Sequence, residues 1–451
     1  MKNYGSGSNA GDEEERGLLV SSRVKIVEAV DYVAEQKKGY VCCCVPWNWI
    51  SNDGDDPMIG NLSTVILLLN SMIGSGILVQ GYVFKESGII NAIVVYIIIA
   101  CMTYTGIDLL ISSADMLQVF DYSQLAVATL GPAGGKILDS SIAVGNAGAL
   151  LSYMLIIGTL TSDILSGLFG TSWFTSTYFM TIVLSAAVIL PSCLIRKFGH
   201  LAYISYVSIF AIAGTMMLVC IFGPLESYKY ENDQLTWSTS GGTLKAIGSV
   251  VFAFGFASSV FHTYVALDDA KRSPSNFNVL TSTTILLGVT MCFLTGFIGY
   301  ISFRSSTEAD ILENFDGTLG AIFKVAVIIH LLLYIPGDFV VMRYSLFRLF
   351  GTSVQNTSDT VYIFTTILML LTVTISACLL NQYASSSQSL TIILDITGGI
   401  CFAIVNFILP GLFAVTQLQD DSSKYTRGVV LTMLGFCIPI LVIFSTIFEL
   451  L

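Results

Sequence analysis

Charge is what this sequence has least of. Asp, Glu, Lys and Arg make up 11% of it, where a soluble domain carries roughly 25% because its surface must be solvated. Over 451 residues, so low a density cannot cover a water-soluble particle. Lys and Arg number 20 against 31 for Asp and Glu, an acidic balance that argues against nucleic acid as a partner, since that needs a basic stripe. Histidine is down to three, and no Cys-x-x-Cys pair stands with a matching His set, so no resident metal or cofactor is expected. The ten cysteines form no disulfide framework; Cys193, Cys220, Cys292, Cys378, Cys401 and Cys437 stand singly in apolar runs, as small buried hydrophobes do. A GxxxxGK[ST] phosphate loop is also missing, which argues against a nucleotide-driven pump. No enzyme is expected.

What is present is apolar: 54% of residues, with a mean hydropathy of +0.77. The class is an all-α polytopic membrane protein. A spanning helix needs about 20 mainly apolar residues. Reading from one polar break to the next predicts eleven spans, 61–84, 89–112, 137–166, 173–194, 200–223, 243–266, 277–303, 319–342, 359–380, 389–417 and 428–449. Residues 1–58 are polar, lack the apolar core of a secretory signal, and read as a largely disordered cytoplasmic N-terminal tail. With the N-terminus inside, 15 Lys and Arg fall on cytoplasmic segments and 5 (Lys85, Lys229, Lys245, Arg304, Lys324) on the other side. That is the sign the positive-inside rule requires. The sequon Asn356-Thr357-Ser358 then lies inside and stays unmodified.

Two spans are interrupted. The first contains Asn70-Ser71-Met72-Ile73-Gly74-Ser75-Gly76-Ile77-Leu78, and the sixth Phe252-Ala253-Phe254-Gly255-Phe256-Ala257-Ser258-Ser259. Each glycine costs a helix about 1 kcal/mol against alanine. Small residues also let membrane helices pack closely, but interruptions at corresponding places in two five-helix halves point to an inverted-repeat transporter with a midplane site. Unwinding frees backbone groups that hydrocarbon cannot satisfy. A free amino acid needs both kinds: N–H groups from Gly76 onward for its carboxylate, and carbonyls around Ile73 and Gly74 for its ammonium. The predicted substrate contacts are Ile73, Gly74, Ser75, Gly76, Phe254, Gly255 and Ser258.

The motif Asn70-Ser71-x-x-Gly74-Ser75-Gly76-Ile77-Leu78, followed by Tyr82-x-Phe84-x-x-x-Gly88, resembles the first helix of the amino acid/auxin permease family, and most of all its sodium-coupled neutral amino acid transporter branch. Phe252-Ala253-Phe254 with Tyr264, Leu267 and Arg272-Ser273 resembles the family's sixth helix and the loop after it, and Phe407-Ile408-Leu409-Pro410-Gly411-Leu412-Phe413 the end of its tenth. The resemblance implies a leucine-transporter-type 5+5 inverted repeat plus one helix, with residues 59–451 as the transporter domain. It also implies secondary transport of neutral amino acids with Na+ or H+ as the coupling ion. Three positions depart from the pattern. Gln80-Gly81 replaces Leu-Pro, Gly255-Phe256 replaces Cys-His, and Leu331-Leu332-Leu333-Tyr334-Ile335-Pro336 lacks the threonine that helps ligate sodium in that branch. The candidates for ion binding or coupling are Asn70, Tyr334, His262 and His330, the histidines because imidazole titrates in the physiological range. Among carboxylates, Asp395 is expected to face the bundle, while Asp338 reads as an interfacial partner of Arg343.

In the tail, Glu14-Glu15-Arg16-Gly17-Leu18-Leu19 resembles an acidic dileucine sorting signal, with an adaptor expected at Glu14, Leu18 and Leu19. Cys42-Cys43-Cys44 with Trp47 and Trp49 suits palmitoylation and interfacial anchoring. The membrane is therefore the plasma membrane or an endolysosomal or vacuolar one. An amino acid sensor with little flux is the alternative reading.

Overall fold

A computed structural model of the chain describes residues 58–194, 201–230, 233–239, 241–315, 317–354, 357–383 and 386–450. Glu14, Leu18, Leu19, Cys42 to Cys44 and Asn356 lie outside the described residues. The described residues are helical apart from their connections and a single strand-like bridge between Ile59 and Leu267. The helices are α1 (Asn61–Met72), α2 (Gln80–Ser87), α3 (Ile89–Leu117), α4 (Tyr122–Phe169), α5 (Thr177–Cys193), α6 (Leu201–Glu226), α7 (Gly242–Ala253), α8 (Ala257–Ala266), α9 (Pro274–Phe303), α10 (Gly317–Leu349), α11 (Asp359–Tyr383), α12 (Ser389–Gln417) and α13 (Ser422–Leu450). Large apolar side chains such as Ile97, Phe210, Phe364 and Ile440 are exposed along them. Such faces suit lipid and would be a liability in water.

Among the described residues, nine helical stretches are long and apolar enough to cross a membrane, α7 and α8 counting together as Gly242–Ala266. The remaining two expected spans differ from expectation. Span 61–84 is not continuous, because Ile73 (φ −94°, ψ 82°) and Gly74 (φ −96°, ψ −145°) leave helical geometry. Span 173–194 opens with a 3₁₀ turn at Trp173–Thr175, restarts at Thr177 under the Ser176 cap, and passes through a π turn at Ser185–Ile189. There the Ser185 hydroxyl donates to Met154 Sδ at 3.4 Å and accepts from Thr374 at 3.1 Å.

Span 137–166 is also corrected. The side chain of Asp121 accepts from Gln124 N at 2.9 Å and starts α4 at Tyr122. Straight, those 48 residues would run about 72 Å, far beyond the ~30 Å of hydrocarbon. Gly131, at φ +76°, and Pro132 turn the helix instead. Helix α12 covers the expected 389–417 but carries π turns at Thr397–Phe402 and Ile404–Ile408, a feature common where a side chain must be re-aimed.

Helices α4 and α10 pack antiparallel and share the most extensive helix–helix contact among the described residues. They are tied at one end by Arg348 and Asp121 (3.0 and 2.5 Å) and at the other by Lys324 and Asp163 (3.1 Å).

The connection from α9 to α10 packs over the first break. Ile311 N donates to Leu78 O at 3.1 Å and Lys85 Nζ to Thr307 O at 2.9 Å. Its Asp310 is buried, accepts from Leu312 N at 2.9 Å, and has its carboxyl pushed up to about 7 by that burial. Between an unfolded pKa of about 4 and that value, the packed loop binds the extra proton. Its stability is therefore full below about pH 4 and declines as pH rises through 7. Protection of residues 307–315 from hydrogen exchange, taken relative to the base-catalysed intrinsic rate, should fall across that window, and Asp310→Asn should flatten the profile. An unchanged profile in the variant would place the titration elsewhere.

Candidate functional site

The two interruptions meet. A Cβ on Gly76 would lie 2.9 Å from both Cα and Cβ of Ala253, and one on Gly255 would lie 2.8 Å from Asn406 Nδ2. Only glycine allows this approach without displacement. Some of the freed backbone groups find partners within the bundle, as burial demands. Ser71 O accepts from Tyr334 Oη at 3.0 Å, and Gly76 O from Gln80 Nε2 at 2.5 Å, with Tyr96 donating to Gln80 Oε1. The glutamine that departs from the family pattern thus serves the break directly. At the second break, Ala257 N donates to Asn406 Oδ1 at 3.0 Å while Asn406 Nδ2 donates to Phe402 O at 2.8 Å. Asn406 therefore caps α8 from within α12. Asp395 faces the bundle, accepting from Ser249 N at 2.8 Å and Ser249 Oγ at 2.6 Å.

Between the breaks lies a small, partly enclosed cavity of about 10 Å³, room for about one water. Ser71, Met72 and Gly74 line it from the first break, and Phe252, Gly255, Ser258 and Ser259 from the second. Asn146 and Tyr153 of α4, Tyr334 and Asp338 of α10, and Phe402 of α12 complete it. A larger groove of about 690 Å³ runs past Tyr104, Asp115, Asn278 and Lys424. It is open and touches neither break, so the cavity between the breaks is the better candidate despite its size.

Of the predicted substrate contacts, Gly74, Gly255 and Ser258 reach the cavity wall. Ile73, Ser75, Gly76 and Phe254 are buried behind it, Ser75 Oγ lying 2.8 Å from Ser152 Oγ. Of the ion candidates only Tyr334 lines the cavity. Asn70 Nδ2 donates to Ser205 Oγ at 3.2 Å, leaving its buried Oδ1 without a hydrogen-bond partner. His330 is fully buried, with Nδ1 2.8 Å from Ser208 Oγ and Nε2 without a hydrogen-bond partner. His262 sits near Tyr344, ring centroids 5.7 Å apart, away from the cavity lining.

Asp338 is the main correction. It does not pair with Arg343, whose guanidinium donates to Cys193 O and Thr366 Oγ1 (2.8 and 3.1 Å) and stacks on Tyr362. Instead Asp338 Oδ2 accepts from Tyr153 Oη at 2.8 Å inside the cavity. The signal was available, since a carboxylate inside a span is functional by default. Tyr153, Asn146 and Asn406 escaped for want of any local motif.

A bundle of membrane-length helices whose broken members enclose a small polar cavity has the architecture of a multi-pass membrane transporter. Residues 58–451 match the family described as Transmembrane amino acid transporter protein. The chain belongs to that family: it is a multi-pass membrane amino acid transporter and not an enzyme. A zebrafish (Danio rerio) relative named sodium-coupled neutral amino acid symporter 2 is 22% identical over 83% of this chain and 79% of its own length. A relative from Saccharomyces cerevisiae named vacuolar amino acid transporter 7 is 28% identical over 56% of this chain and 52% of its own. Among solved structures, MhsT in complex with L-phenylalanine superposes with a TM-score of 0.55 at 15% identity, covering 87% of this chain and 99% of that one. That likeness is one of fold, the leucine-transporter fold.

Proposed function

We propose that this chain is a secondary active transporter of neutral amino acids, coupled to Na+ or H+, with eleven spans arranged as a 5+5 inverted repeat plus α13. In this reading α1 with α2 forms the first span, α5 the fourth, and α7 with α8 the sixth. The observation that carries it is the meeting of the two breaks, Gly74 and Gly255 lining one small cavity. The substrate's carboxylate takes the N–H groups that follow Gly74, and its ammonium the carbonyls that precede it. Ile73, Ser75, Gly76 and Phe254 shape the backbone, while Ser258 faces the substrate. Ligand pockets usually measure about 300–1,000 Å³, so the cavity described is a contracted form. Occupation requires the bundles to move apart, as alternating access does.

Two buried groups beside the first break are available to a coupling ion: Asn70 Oδ1 as a hard oxygen ligand for sodium, and His330 Nε2 for a proton. The missing threonine before Pro336 favours the proton, and the name of the yeast relative fits an acidic organelle. The N-terminus is cytoplasmic on the charge count, with the tail's dileucine open to a sorting adaptor.

Uptake of labelled amino acids into proteoliposomes tests the reading. Neutral amino acids should accumulate under an inward Na+ or H+ gradient. If sodium drives them, Asn70→Ala should lower accumulation by about tenfold or more, the loss of a hydrogen-bonded ion ligand being worth about 1.5–3 kcal/mol. Binding without uptake under either gradient would favour the sensor.

A further inference from the structure

We propose that Asp338 carries the coupling proton, and that the site closes on a neutral amino acid only when this carboxylate is protonated. The proposal rests on the transport reading above and adds a group to it. Asp338 is the single carboxylate among the residues lining the cavity, and none of the others is Lys, Arg or His. Two phenols connect it to the first break. Tyr153 Oη donates to Asp338 Oδ2 at 2.8 Å and lies 2.8 Å from where a Cβ of Gly74 would stand. Tyr334 donates to Ser71 O and meets the Tyr153 ring edge-on, centroids 5.3 Å apart.

Charge balance decides what the carboxylate must do. A zwitterionic amino acid brings no net charge, so closing on it with Asp338 ionised seals one uncompensated negative charge in a cavity with room for about one water. Burying an unpaired charge costs several kcal/mol, and such a group neutralises instead. Among the described residues, no cation is placed to compensate. Arg343 is turned to Cys193 and Thr366, and Lys324 pairs with Asp163 at the far end of α10. His330 bonds to Ser208, and His262 lies by Tyr344; neither lines the cavity. The titratable groups that face Asp338 are Tyr153 and Tyr334. The carboxylate therefore takes a proton from water while the site is open to one side and returns it to water on the other, no covalent bond between heavy atoms changing.

This assignment separates Asp338 from His330. His330 bonds to Ser208 and lies outside the cavity lining, where Asp338 stands within it. A basic amino acid could instead bring its own positive charge to Asp338 and travel without the proton.

The test compares the full chain with Asp338→Asn and Asp338→Glu in proteoliposomes, using labelled alanine and lysine as probes. Counterflow is read at equal pH on both sides, accumulation under an inward proton gradient, and proton movement with an entrapped pH dye. The unsubstituted chain should accumulate alanine with proton entry. Asparagine resembles the protonated carboxyl, so Asp338→Asn should still exchange alanine, more slowly, without pH dependence and with accumulation lost. Asp338→Glu should keep coupling with a displaced pH midpoint. Alanine accumulation without proton entry in the unsubstituted chain overturns the proposal even if both variants are inert. Gradient-driven accumulation that survives in Asp338→Asn also overturns it. A preference for lysine that Asp338→Asn abolishes would make Asp338 a counter-ion for the substrate side chain and overturn proton carriage. Absence of alanine and lysine exchange in the unsubstituted chain would instead strike the transport reading, and this proposal with it.

Discussion

Gly76→Val should reduce transport by about 10- to 100-fold while leaving membrane insertion intact. The added Cβ would stand 2.9 Å from the Cα of Ala253, which is backbone and cannot swing aside. Overpacking of this kind costs about 1–3 kcal/mol, and each 1.4 kcal/mol is a factor of ten. The damage falls where the two broken helices must approach and separate. Gly214→Val is the control, because nothing lies within 4 Å of its Cβ position; it should transport as the unsubstituted chain does. Uptake assays with surface-expression controls read both variants. Equal losses at Gly76 and Gly214 would mean that the helices tolerate valine poorly anywhere, and the contact between breaks would explain nothing.

Breaking the pair between Asp121 and Arg348 should weaken closure at its end of the bundle, the end that the charge count predicts to be cytoplasmic. The two carboxylate oxygens meet the two guanidinium nitrogens at 3.0 and 2.5 Å, joining the start of α4 to the end of α10. The side chains are 28% and 32% exposed, so the cost lies between that of an open and a buried pair, about 2 kcal/mol. Burial alone would raise the Asp121 pKa, but the charge of Arg348 outweighs it and holds the carboxyl below its ordinary range. A depressed pKa contributes above the unfolded value and is lost as pH falls through the folded one, so the pair persists above about pH 4. Asp121→Asn and Arg348→Gln should each lower steady-state accumulation by about an order of magnitude. The exchanged pair, Asp121→Arg with Arg348→Asp, should recover part of the loss. Additive losses in the exchanged pair would remove this contact from the mechanism.

The bundle, the two breaks and the family were legible because each is written locally. Apolar runs end at polar residues, and Gly74-Ser75-Gly76 and Phe254-Gly255 interrupt them at comparable depth. The extent of the third span was not legible, since Gly131-Pro132 reads as a helix end and only the φ of +76° shows that the chain turns and continues. The π turn of the interrupted fourth span runs up to Pro191, which has no N–H to donate four residues back. The partners that Ser185 meets there, Met154 and Thr374, are not written locally, one being 189 residues away. The cavity's polar wall was the least legible part. Tyr153 and Asp338 are 185 residues apart, and Ala257 and Asn406, partners at the second break behind that wall, are 149 apart; no periodicity encodes such meetings. Arg343 follows Asp338 by five positions, which made an ion pair the natural reading. The structure turns the two side chains to different partners, the carboxylate into the cavity and the guanidinium onto Tyr362.

Whether a neutral amino acid sits between the two breaks is read most directly at Ser258. It lines the cavity together with Gly74, and Ser258→Cys would place a thiol there. Labelling of that thiol by a small maleimide, measured against the unsubstituted chain as background, should slow about tenfold when a transported neutral amino acid is present at ten times its Kd. Labelling that proceeds at the same rate with and without an amino acid that the same preparation transports would place the substrate away from the two breaks.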